Sequence, residues 1–191
     1  MNIAIYCGSS FGKNPLYRQK SEELIEYLSK KDVSIVYGGS KSGLMGLISE
    51  KAIKLNMKVF GVITYSLTTK EIENTNITKL EKVATIRERK ERMEELSDAF
   101  IAIPGGFGTL EEISEIFTAI QIGRTLKPCA LYNVNGYFNK LIEYLTFCKD
   151  EGFLMEEHLN SLIVSDDIDY IYKKFKNHKP PKSKWQILSS C

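Results

Sequence analysis

Short apolar runs rich in β-branched and aromatic residues recur along the chain: Asn2–Cys7 (NIAIYC), Val33–Tyr37 (VSIVY), Lys58–Thr64 (KVFGVIT), Ala99–Pro104 (AFIAIP) and Pro128–Tyr132 (PCALY), with weaker runs at Lys82–Thr85 and Leu162–Ser165. Near-continuous apolarity, rather than strict alternation, is the pattern of strands covered on both faces of a parallel sheet. Longer stretches of helical period lie between them. Pro15–Lys30 spaces Leu24, Ile25 and Leu28 along one helix face, with Pro15 suited to a first turn, and Tyr137–Glu151 does the same with Phe138, Leu141, Ile142 and Leu145. Strands alternating with helices predict a doubly wound α/β domain with helices on both faces of the sheet, whose ligands bind at the carboxyl ends of the strands.

Two segments depart from this rhythm. Ser66–Glu81 (SLTTKEIENTNITKLE) is polar and longer than a usual connection, which reads either as a surface loop covering a site or as a plain insertion. The end of the chain, YKKFKNHKPPKSKWQILSSC, holds six lysines from Lys173 to Lys184 around Pro180–Pro181. It reads as a solvated tail or a strap along a neighbouring subunit, because lysine without interleaved arginine makes a poor nucleic-acid arm. The expected organisation is a single domain over residues 1–178 and a lysine-rich tail over 179–191.

The chain has 191 residues, 43% hydrophobic and 26% charged, which suits one globular domain. Its net charge of +2 supplies no strong field for nucleic acid or an anionic membrane, so an anionic ligand has to be held by local geometry. No stretch of about 18 apolar residues occurs, and a soluble, cytoplasmic protein is expected. Cys7, Cys129, Cys148 and Cys191 are far apart and form no C-x-x-C pair, which reads as free thiols, with Cys7 a small buried hydrophobe rather than a nucleophile. His158 and His178 are the only histidines. A histidine metal site or a Ser-His-Asp triad therefore has little raw material, no cofactor or metal is expected, and hydrolysis would fall to carboxylates.

Three strand ends run into glycine-rich turns: Cys7-Gly8-Ser9-Ser10, Gly38-Gly39-Ser40-Lys41-Ser42-Gly43 and Pro104-Gly105-Gly106-Phe107-Gly108-Thr109. Glycine lets backbone N–H groups approach an anion closely, and the following helix N-terminus adds unsatisfied donors. A tight turn explains any one of these pairs. Three on one sheet edge predict a phosphate cradle built from Gly8, Ser9, Gly39, Gly105, Gly106, Gly108 and the hydroxyl of Thr109. Neither G-x-G-x-x-G nor G-x-x-x-x-G-K-[ST] occurs, which favours a mononucleotide over NAD or ATP hydrolysis.

The third turn opens the helix TLEEISEIFTAIQIG, with Glu111 and Glu112 expected in its first turn. Capping would explain them. Neighbouring positions differ by about 100° around a helix, however, so the two glutamates serve different surfaces and one can face a ligand. The other charged run, Thr85–Met93 (TIRERKERM), reads on its own as a solvated helix face with i,i+4 pairs such as Glu88–Arg92.

TIRERKERM and PGGFGTLEE, separated by SDAFIAI, resemble the paired motifs M-x-x-R-K and P-G-G-x-G-T-x-x-E of the LONELY GUY (LOG) family of nucleoside 5′-monophosphate phosphoribohydrolases. YCGSS, YGGSKSGLMG, the KEI of the polar loop and the late EGFL extend the resemblance over nearly the whole chain. It implies a Rossmann-like homodimer that hydrolyses the N-glycosidic bond of a nucleoside 5′-monophosphate, a cytokinin riboside monophosphate or AMP. It places the catalytic pair on Arg89 and Glu112. The nucleotide would be lined by Glu71, Arg89, Lys90, Gly106, Phe107, Gly108, Thr109, Leu110, Glu111, Glu112 and Thr118. Three positions depart from the family's common pattern: Arg87 replaces a frequent histidine, Ser40 a third glycine, and Thr64 the proline of GVIP.

Cleavage through an oxocarbenium-like state suits a carboxylate that steadies positive charge and orients water. Two other readings stay open, a broader nucleotide hydrolase serving salvage and a module that carries or senses a nucleotide without turning it over. Family members also carry a lysine decarboxylase label, but no residue here is marked as the lysine of a pyridoxal phosphate Schiff base.

Overall fold

The computed structural model describes residues 1–68 and 73–189. Seven strands form one sheet: β1 (Asn2–Tyr6), β2 (Ser34–Tyr37), β3 (Val59–Thr64), β4 (Lys79–Val83), β5 (Ala99–Ala102), β6 (Cys129–Tyr132) and β7 (Ile163–Ser165). Their order is β4-β3-β2-β1-β5-β6-β7 and every ladder is parallel. The helices are α1 (Pro15–Ser29), α2 (Gly43–Lys54), α3 (Tyr65–Thr68), α4 (Ile86–Leu96), α5 (Phe107–Gln121), α6 (Asn139–Asp150), α7 (Glu156–Ser161), α8 (Ile168–Lys176) and α9 (Lys184–Leu188). The chain winds outward from β1 to β4, crosses back over β1, and winds outward again from β5 to β7. The winding reverses between β1 and β5, and at such a reversal the connecting loops part and leave a crevice at the strands' carboxyl ends.

Side-chain alternation along β1 shows why the sheet needs two helical layers. Ile3, Ile5 and Cys7 join Leu24, Ile25 and Leu28 of α1, Leu44 and Ile48 of α2, and Ile171 and Phe175 of α8. Ala4 and Tyr6 face the opposite layer, with Met93 of α4 and Ile113, Ile116 and Phe117 of α5. Both faces are dry, as continuous apolar runs require. Local signals set the helix starts: Asn14 Oδ1 accepts from the Leu16 N–H at 3.0 Å ahead of Pro15, and Thr85 and Glu88 form a reciprocal capping box at α4.

Three expectations change. Ser66–Glu81 is not one loop, because Tyr65–Thr68 is helical, Glu73 bridges to Ser40, and the edge strand starts at Lys79 rather than Lys82. Glu88 does not pair with Arg92. It caps α4 by accepting from the Ala84 and Thr85 N–H groups, while Arg92 pairs with Glu81 and Glu95. The lysine-rich tail is tied to its own chain: the Lys182 N–H donates to Glu157 Oε1 at 2.7 Å, and its carbonyl accepts from His158 Nε2 at 2.9 Å.

Candidate active site

Four connections at the carboxyl edge enclose a cavity of about 270 Å³. The turn after β1 contributes Cys7, Gly8 and Ser9; the turn after β2 and the start of α2 contribute Gly38 and Met45; Leu67 comes from α3. The turn after β5 and the start of α5 contribute Gly106, Phe107, Gly108 and Thr109, and the charged pair Arg89 and Glu112 closes the wall.

Helix α5 begins at Phe107, two residues before the expected start, so Glu111 and Glu112 fall beyond the first turn and cap nothing. Gly106 stands at its N-cap with no side-chain acceptor, and the first N–H bonded back into the helix is that of Leu110, to the Gly106 carbonyl. The open donors of Phe107, Gly108 and Thr109 lie where these residues line the cavity, and with the helix dipole they make a place for an anion. A Cβ added at Gly106 or Gly108 would meet no atom within 4 Å. Protein packing therefore does not demand glycine there, and both positions leave room above the backbone for an anion to approach closely. Gly105 is different, since its Cβ would fall 2.1 Å from Thr109 Oγ1 and 2.8 Å from the Gly8 nitrogen. It lets the turns after β1 and β5 pack together.

The two glutamates separate as the helical angle demands. Glu111 points outward to Lys90 Nζ at 2.6 Å, and Lys90 also holds Glu115 at 2.7 Å. Glu112 turns inward and accepts from Arg89 Nη1 at 2.7 Å, each side chain only 11% exposed. Arg89 is fixed a second time by donation from Nε to the Val62 carbonyl at 2.9 Å. Its Nη2 lies over Gly38, where a Cβ would come within 2.3 Å. Burial pushes the Glu112 carboxyl above the ordinary glutamate range, and the Arg89 charge opposes that rise without cancelling it. Burial likewise pushes the Cys7 thiol far up, leaving it protonated and unreactive.

Of the residues named from sequence, Gly8, Ser9, Arg89, Gly106, Phe107, Gly108, Thr109 and Glu112 meet at this cavity. Gly39 does not line it; its neighbour Gly38, directly after the strand, does, while the Gly39 carbonyl accepts from the Asn74 N–H at 2.9 Å. Gly105 lines an adjoining cavity. Lys90, Leu110, Glu111 and the exposed Thr118 lie off the wall. Glu71 falls outside the described residues. Met45 and Leu67 join the wall without a motif to mark them, the one sequence signal for Leu67 being an apolar residue in a polar connection. The three departures from the family pattern also stand back: Arg87 is 86% exposed and pairs with Glu91, Ser40 Oγ accepts from the Ser42 N–H, and Thr64 Oγ1 meets Ser66 Oγ. Among the described residues no group of three or more His, Cys, Asp or Glu side chains is placed to hold a metal ion, and no helix is long and apolar enough to cross a membrane.

A family model described as "possible lysine decarboxylase" matches residues 45–175. Two Arabidopsis thaliana proteins named cytokinin riboside 5′-monophosphate phosphoribohydrolase, LOG1 and LOG7, are 37% and 36% identical over 95% and 93% of this chain and 85% and 82% of their own lengths. A molybdenum cofactor carrier protein from Chlamydomonas reinhardtii superposes with a TM-score of 0.67 over 92% of this chain and 96% of its own, at 14% identity, a likeness of fold. The chain belongs to the possible lysine decarboxylase family, in the LOG group that the two Arabidopsis proteins represent.

Proposed function

We propose that this protein hydrolyses the N-glycosidic bond of a nucleoside 5′-monophosphate, releasing the free base and ribose 5-phosphate. The observation that carries the reading is the buried Arg89–Glu112 pair, set in the same cavity as the uncapped N-terminus of α5. A site that only held an anion would gain nothing from a desolvated carboxylate, whereas a glycosidase needs one.

The 5′-phosphate binds at the N–H groups of Phe107, Gly108 and Thr109 and the Thr109 hydroxyl, with the β1 turn at Gly8 and Ser9 alongside. Binding energy gathered there positions the anomeric carbon against Glu112. As the bond from C1′ to the base nitrogen breaks, the electron pair leaves with the base and positive charge spreads over C1′ and the ring oxygen. The Glu112 carboxylate stabilises that charge and takes a proton from the water whose oxygen bonds to C1′; the departing base takes up a proton from solvent, and Glu112 returns its own to solvent before the next cycle. Arg89 stays protonated and keeps Glu112 ionised and aimed. The names of the relatives support a cytokinin riboside monophosphate as substrate, and we propose AMP beside it.

The test is release of ribose 5-phosphate from AMP and from isopentenyladenosine monophosphate, against the unphosphorylated nucleosides and the Glu112→Gln protein. Release is expected to need both the phosphate and Glu112, with turnover lowered about 10²–10⁴-fold in the variant. Binding of both nucleotides without release from either would make the protein a carrier or sensor.

A further inference from the structure

Tyr137 follows the 3₁₀ turn Val134–Gly136 beyond β6 and lines the second cavity, of about 180 Å³, with Phe11, Tyr17, Leu44 and Gly105 among its neighbours. Its hydroxyl donates to the Gly105 carbonyl oxygen. Two edge-on rings hold the side chain in place, Tyr17 at 5.3 Å and Phe138 at 5.1 Å between centroids. Gly105 lines this cavity and not the one that holds Arg89 and Glu112, whereas Gly106 belongs to both.

In a trans peptide the carbonyl of one residue and the N–H of the next point in opposite directions. Holding the Gly105 carbonyl on the Tyr137 side therefore turns the Gly106 N–H towards the opposite side, where the open N-terminus of α5 lies. Two successive glycines give the connecting peptide unusual freedom to rotate, and a rotated peptide would aim a carbonyl oxygen at an incoming phosphate. We propose that Tyr137 is a positioning residue for the phosphate cradle, its hydroxyl fixing the Gly105–Gly106 peptide with the N–H directed at the anion. The proposal rests on the reading that a 5′-phosphate binds at the start of α5.

Tyr137→Phe keeps the ring contacts and removes only the hydroxyl. The expected result is about five- to tenfold weaker binding of ribose 5-phosphate and of AMP, with a matching loss of kcat/KM for AMP and the affinity for adenosine unchanged. Tyr17→Leu, which loosens the ring without touching the hydroxyl, should give a smaller shift in the same direction. Unaltered ribose 5-phosphate affinity in Tyr137→Phe would overturn the proposal, and so would an equal loss of affinity for AMP and adenosine, because that marks a general structural role. The hydrolase reading fails separately: if AMP binds without turnover, the affinity comparison still decides for or against Tyr137. If the wild-type protein does not bind ribose 5-phosphate at all, the cradle and this proposal fall together.

Discussion

At Glu112 burial and a neighbouring cation pull the carboxyl in opposite directions, and burial wins. A group that must be ionised to accept a proton then works only above its raised pKa, so the acid limb of the kcat/KM profile is expected above the ordinary glutamate value of about 4.3. Arg89→Met removes the charge that opposes the rise. Its residual activity should show an acid limb displaced to still higher pH, and an unmoved limb would mean that the two side chains are not coupled. Gly38→Ala makes the same point from beneath the guanidinium. The added Cβ would come within 2.3 Å of Arg89 Nη2 and 2.8 Å of Met45 Sδ, both ends of flexible side chains. The fold can give way there while the Arg89–Glu112 geometry cannot, so an upward shift of the acid limb with a nearly unchanged Tm is expected. A large loss of Tm would show instead that Gly38 serves packing.

The element that carries Arg89 is held to the sheet by a second ion pair. Arg92 of α4 meets Glu81 of the edge strand β4 through two contacts, Nε to Oε2 at 2.6 Å and Nη2 to Oε1 at 3.2 Å. Hydrogen bonds from Arg92 and then Lys79 draw the Glu81 carboxyl from 4.5 down to about 2. A depressed carboxylate stabilises the fold fully above its unfolded value and loses that contribution as the pH falls towards the folded one. Arg92 keeps 36% of its side chain in water, so solvent screening reduces the contribution to about 1–2 kcal/mol. Urea unfolding of Glu81→Gln should show that deficit at pH 7 and only a small part of it near pH 2, where the folded carboxyl itself takes up its proton; an equal deficit at both values would assign it to packing. This strand was also the least legible in the sequence. The strands β1, β2, β3, β5 and β6 announce themselves because both faces are buried, but β4 lies at the edge and alternates Lys79, Glu81 and Val83 with Leu80 and Lys82, a pattern that protects a free edge and hides a strand. The start of α5 is hidden in the sequence for a related reason. Gly106 caps it with no side chain, so no capping residue marks the boundary, and the glutamates took on the look of first-turn acids. The Arg89–Glu112 contact joins residues 23 apart on two helices, and only the family's paired motifs exposed it before the fold did.

Across the whole molecule, α6 is a helix that keeps two large aromatic side chains in water on one face. On α6, Tyr144 and Phe147 are three residues apart and so share a face, 61% and 59% exposed, and Phe153 just beyond the helix is 86% exposed. Rings of this size gain strongly from burial, and a contiguous apolar face on a monomer is commonly an interface. The family resemblance implies a homodimer, and this helix is the face on which we expect it to close. A two-fold interface uses the same patch on both protomers, so α6 would pack against α6 of the second copy and each substitution would act twice. Light scattering should then give twice the chain mass of 21.8 kDa for the wild-type protein, and the chain mass for Tyr144→Glu/Phe147→Glu. Both side chains stand outside the two cores, so the paired variant should keep its circular dichroism spectrum. A wild-type monomer would remove the dimer, whereas a variant that still dimerises would move the interface to another face. If the variant is a folded monomer that still releases ribose 5-phosphate from AMP, the Arg89–Glu112 site is complete within one chain. If release is lost while ribose 5-phosphate still binds, the cradle belongs to one chain and the second copy is required for cleavage.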